Sequence, residues 1–115
     1  MFGQFEDSET ALRRADTALG QGRFDVALGI YERVLRENPT ISISAERCVK
    51  IADANIRATH QNLKAGVDWL QRAADQAPND ETTRQKLADA LLRNGDNARA
   101  ANQFRSLLGG RSVSD

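Results

Sequence analysis

The sequence is poor in the residues that carry chemistry or cross-links. A single cysteine, Cys48, excludes an internal disulfide, and a single histidine, His60, excludes a multi-histidine metal set. Sixteen basic and sixteen acidic residues cancel, so no net field favours nucleic acid or an anionic membrane. Aromatic residues are limited to four Phe, one Tyr and one Trp. No run approaches the roughly 20 apolar residues that cross a bilayer. The N-terminal MFGQFEDSET has neither a basic start nor an apolar stretch, which argues against a secretory signal. Gly20-Gln21-Gly22 reads as a turn between helices, not a phosphate loop. Carboxylates are plentiful but form no evident acid–base pair. The expectation is a cytoplasmic protein with no catalytic residues, no cofactor and no metal. Cys48 is expected to be a buried small residue rather than a nucleophile.

What is present is self-similarity. GRFDVALGIYERVL from Gly22, QNLKAGVDWLQRAA from Gln61 and GDNARAANQFRSLL from Gly95 align, with starts 39 and 34 residues apart. A period near 34 marks stacked helical hairpins. The two prolines, Pro39 and Pro78, each close a helical run. Six helices are predicted: about 9–19, 24–37, from near Ser44, 65–76, from Asp80 to Asn94, and 98–108. Asp7 or Ser8, Ser44 and Asp80 are the expected N-caps. Ile41-Ser42-Ile43 is too short to seed a sheet and reads as a connection. Gly109-Gly110 is expected to stop the last helix and leave 109–115 as a flexible tail.

The extra five residues of the middle repeat are assigned by the apolar face of its first helix. An offset of 34 pairs Ala11, Arg14, Ala15 and Ala18 with Ala45, Cys48, Val49 and Ala52. An offset of 39 pairs them with Lys50, Asp53, Ala54 and Arg57, mostly charged. The first register is preferred. The insertion then lengthens the third helix around Asn55 to His60, as a protrusion that is itself a candidate contact. His60 is expected exposed at that helix end.

The chain resembles the tetratricopeptide repeat family. The resemblance rests on small positions Ala27, Gly66 and Ala100, large positions Tyr31, Leu70 and Phe104, following positions Val34, Ala73 and Leu107, facing positions Ala15, Val49 and Ala88, and the two closing prolines. Small residues let backbones approach, and the large residue fills the gap to the neighbouring repeat. The resemblance implies an all-α fold of three stacked antiparallel hairpins, a short right-handed solenoid. Its repeats are 8–41, 42–80 and 81–108, with 1–7 as a lead-in.

It also implies a concave groove lined by the first helix of each hairpin. Glu9, Leu12, Arg13, Asp16 and Leu19 fall there in repeat one. Glu46, Lys50 and Asp53 do so in repeat two, and Gln85, Lys86, Asp89, Leu92 and Arg93 in repeat three. Leu12, Leu19 and Leu92 are expected as its apolar contacts. The implied function is a non-enzymatic adaptor or scaffold that binds a protein or peptide. Co-chaperones of this fold grip a C-terminal carboxylate with basic and amide groups. The matching positions here hold Leu12, Asp16, Thr82 and Lys86, so no such clamp is expected.

An uncapped solenoid end offers an alternative: self-association or docking as an assembly subunit. Leu91, Ala101 and Leu108 are expected to be partly exposed there. Phe2 and Phe5 are candidates to cover one end, and Trp69 is expected between repeats or as an interface anchor. His60 completes this secondary set. Neither nucleic acid nor membrane insertion is expected.

Overall fold

A computed structural model describes the backbone of residues 6–112 and the side chains through 109. Six helices follow one another: α1 (Ser8–Gly20), α2 (Phe24–Glu37), α3 (Ala45–Arg57), α4 (Leu63–Gln76), α5 (Glu81–Arg93) and α6 (Asn97–Ser112). Successive pairs form three antiparallel hairpins, stacked into a body measuring 58 × 26 × 25 Å. No strand occurs among the described residues.

Local chemistry sets the helix ends. Asp7, Ser44, Asn62 and Asp80 accept backbone N–H donors at the starts of α1, α3, α4 and α5. Capped by Asn62, α4 starts at Leu63, two residues before the expected Ala65. Turns after α1 and α5 are closed alike. Gly22 (φ 78°) and Gly95 (φ 84°) are left-handed. Arg23 N donates to Ala18 O (2.9 Å) and Asp96 N to Leu91 O (2.8 Å).

Three expectations are corrected. First, α3 has thirteen residues, as do α1 and α5, so the insertion does not lengthen it. α1 and α3 start 37 residues apart, and α3 and α5 start 36 apart. The extra residues are split between the 38–44 connection and the 58–62 loop. Ile43 anchors the former in the core. The latter does not protrude: Thr59 donates its N–H (2.8 Å) and hydroxyl (2.6 Å) to Asp25 in the first turn of α2. His60 lies in this loop, exposed, and not on a helix. Second, the 37-residue offset makes Ala52, not Val49, the counterpart of Ala15 and Ala88; all three are buried while Val49 is half-buried. Third, α6 runs through Gly109-Gly110 to Ser112, because a glycine lowers helix propensity without ending a helix unless it turns left-handed.

The core forms two clusters. One joins α1, α2 and the Cys48–Ile51–Ala54 face of α3; the other joins Ala52, α4, α5 and Ala100. Val49 and Trp69 pack against both, so Trp69 bridges repeats. Cys48 is fully buried, and burial pushes its thiol pKa up. Gly66 lets α4 approach α3, since a Cβ there would lie 2.5 Å from Ile56 Cγ1. Leu91 is buried, contrary to expectation, Ala101 is half-buried and Leu108 is exposed. Phe2 and Phe5 lie outside the described residues.

Candidate functional site

The offsets of 37 and 36 residues stack the first helices in register. Each then presents the same sequence of side-chain types. Arg13, Lys50 and Lys86 form a basic column. Asp16, Asp53 and Asp89 form an acidic one, and Leu19, Ile56 and Leu92 an apolar one. Glu9 and Glu46 extend the surface toward the helix starts. All thirteen groove residues lie on α1, α3 or α5, but their environments differ.

The seam between α1 and α3 is filled. Arg47 donates to Asp16 (2.7 Å to Oδ2) and to Glu9 (3.2 Å), and Tyr31 Oη donates to Asp16 Oδ1 (2.6 Å). Lys50 Nζ stands 3.9 Å from the same carboxylate and 3.5 Å from Glu46. Partial burial raises the Asp16 pKa, but the bonds from Arg47 and Tyr31 outweigh it and hold the carboxyl below its ordinary range. The Asp16 hydrogen bond in turn raises the Arg47 pKa. Leu12 is only 1 % exposed and belongs to the core, so it is no groove contact. Its apolar side chain packs inward because α1 turns its Ala11–Leu12–Ala15 face to α2 and α3. Leu19 is half-buried against the same cluster, while Arg13 is exposed.

The seam between α3 and α5 is open. A cavity of about 360 Å³ has Val49, Ala52, Ile56, Leu70 and Ala90 as its floor, with Asp53, Arg57, Lys86, Asp89 and Arg93 around it. A second, of about 420 Å³, runs on toward the helix starts past Glu46, Lys50 and Thr82, and shares Val49 and Lys86 with the first. Arg57 is committed to Asp53 (3.5 Å) and to the Phe24 ring (4.3 Å). Lys86, Asp89 and Arg93 form no ion pair with a described residue. Gln85 is exposed beside them and Leu92 is 46 % exposed. One side chain marks the asymmetry between the seams: the α3 position of Arg47 is Thr83 in α5, which turns its hydroxyl to Asp80 (3.0 Å) instead of bridging helices.

Sequence reasoning missed Arg47, Ile56 and Arg57. Ile56 could have been found as the counterpart of Leu19 at the 37-residue offset, whereas Arg47 and Arg57 fall opposite Thr10 and Gly20 there and repeat no signal of α1. Trp69, half-buried and stacked under Arg72 (4.1 Å), is an inter-repeat contact rather than an isolated anchor. No group of three or more metal-ligating side chains occurs among the described residues. None of the helices is long and apolar enough to cross a membrane, again among the described residues.

The chain is similar in structure to the MamA RS-1 ArsTM double mutant, with TM-score 0.70 and 23 % identity over 94 % of this chain and 59 % of that one. It is similar to MamA 41-end from Desulfovibrio magneticus RS-1, with TM-score 0.54 and 17 % identity over 97 % and 80 %. At these identities the likeness is one of fold. The chain spans 59 % of the length of the first of these structures. No curated protein matches the sequence. The family model of the tetratricopeptide repeat matches residues 12–81 and 86–113. With its three hairpins in register and its small-residue packing positions buried, the chain belongs to the tetratricopeptide repeat family of protein-interaction modules.

Proposed function

We propose that the chain is a non-enzymatic adaptor that receives a peptide or helix of another protein in the cleft between α3 and α5. The observation that carries this reading is the contrast between seams. One is filled by the Tyr31–Asp16–Arg47–Glu9 network, and the other leaves two cavities that share Val49 and Lys86, the first of them over an apolar floor. An apolar partner side chain fits the floor at Ile56 and Leu70. Charged groups of both signs fit Lys50, Lys86, Asp89 and Arg93 on the rim. Glu9, Arg13 and Leu19 are then peripheral. Asp16 is held by its own network, so a carboxylate clamp of the co-chaperone kind has no anchor in repeat one.

The test is affinity capture with mass spectrometry, using the wild-type chain and a Lys86→Glu/Arg93→Glu variant. Both side chains are exposed, so the fold is retained. A partner reduced about tenfold or more by the reversal, a change of about 1.4 kcal/mol, supports the cleft. It should persist with Arg36→Glu on α2. A partner retained undiminished on the reversed cleft refutes it.

A further inference from the structure

The inner repeat boundaries define what an outer face of this solenoid accepts. At the first boundary α3 enters the angle between α1 and α2, and at the second α5 packs against α4, with Ala52 of α3 in the same core cluster. The entering helix presents a stripe of a large residue followed three positions later by a small one, Ile51 and Ala54 in α3, Leu87 and Ala90 in α5. The receiving hairpin supplies Leu19, Tyr31 and Leu35 at the first boundary, and Ile56, Leu70 and Ala74 at the second. All six are buried or half-buried.

The same three positions in the last hairpin are Leu92, Phe104 and Leu108, and they are 46 %, 37 % and 62 % exposed. They account for three of the four large hydrophobics that are exposed among the described residues. Asp89 recurs as well. Its counterpart Asp16 is bound by Arg47 of the entering helix, four residues before Ile51. Asp89 has no ion-pair partner among the described residues. The face therefore repeats both the apolar and the acidic halves of an interface already filled once within the molecule.

A second copy does not fit this face. On α1 the positions of Ile51 and Ala54 are Arg14 and Thr17, both exposed, and Arg14 is paired with Glu6 (2.7 Å). Arg33 and Arg36 join Arg14 around Val26 and Ile30 at that end. Head-to-tail stacking would press these arginines toward Arg93 and Arg105, which flank Leu92 and Phe104. Tail-to-tail contact would set one open angle against another, leaving no ridge to fill either.

We infer that the α5–α6 end of the solenoid docks one amphipathic helix of a partner protein. That helix carries a cation, then a large aliphatic residue four positions on, then a small residue three further on, the pattern of Arg47, Ile51 and Ala54. This end shares Asp89 and Arg93 with the α3–α5 cleft, and Phe104 and Leu108, which do not line the cleft, tell the two readings apart.

The probe is a synthetic peptide copying residues Ser44 to Ala58, with Cys48→Ala and a staple on its outer face to offset the ordering cost. It is titrated by fluorescence anisotropy onto the full chain. Saturable binding is expected, weakened about tenfold or more by Leu108→Glu and by Phe104→Glu, and unchanged by Lys86→Glu in the cleft. Asp89→Lys should weaken it, and a peptide with Arg47→Glu should restore it. No saturable binding overturns the inference. So does binding indifferent to Leu108→Glu and Phe104→Glu, or a chain that light scattering shows to dimerise through this end.

Discussion

Asp16 links three side chains of two repeats, and its titration should be visible in stability. Its pKa in the folded chain lies below the ordinary value. A carboxyl depressed by folding stabilises fully above its unfolded pKa, about 3.9, and that contribution fades as pH falls through the folded value. Urea denaturation of the wild type and Asp16→Asn should therefore differ by a constant amount from about pH 5 to 8. The difference should shrink below about pH 4. A gap that ignores pH would refute the network's role. Tyr31 keeps its proton throughout, since burial and then the bond to Asp16 push its pKa up. Gly66 makes a different kind of demand. Gly66→Ala gains helix propensity but drives a methyl into Ile56, and overpacking of this sort costs about 1–3 kcal/mol. Thermal unfolding should show a net loss, and a smaller one in an Ile56→Ala background, which removes both Cγ1 and Cδ1. The small-residue role of Gly66 was legible, because spacing alone identifies it. The commitment of Asp16 was not, because it needs Arg47 placed opposite, which only the correct register does.

At the scale of elements, the hairpin turns divide into two kinds. Gly22 and Gly95 occupy left-handed backbone with matching closures, while the 58–62 loop has no residue of positive φ. Gly95→Ala should cost about 1 kcal/mol through strain at that φ. Gln61→Gly, which restores the family-like glycine, should bring no gain. Equal responses at the two sites in chemical denaturation would contradict this division. Helix number, closing prolines and the caps Asp7, Ser44 and Asp80 could be read from the sequence, since each is a local signal, whereas the Asn62 cap was missed. The placement of the insertion could not. Offsets of 34 and 37 differ by three residues, close to one helical turn, so both present a largely apolar face for α3. Only the fold distinguishes them, through the buried Ile43 connection and the clip from Thr59 to Asp25.

Across the whole molecule, each core cluster spans one repeat boundary, and the two clusters are coupled through the side chains packed against both. Trp69 and Val49 are those that touch both core clusters. Trp69→Ala should remove about 3 kcal/mol and loosen the coupling as well. Its denaturant transition should broaden relative to the wild type, with a lower m-value. A transition that shifts without broadening would show the clusters coupled by other routes. The filled α1–α3 seam has one more consequence. A surface built from identical units is degenerate: an elongated ligand can slide by one unit and find the same columns of charge again. Arg47 removes that freedom by occupying one of the two seams with a side chain of the protein itself. A ligand held between α3 and α5 has no second, shifted position to compete with the first, so three near-copies of one motif can still be read in a single frame.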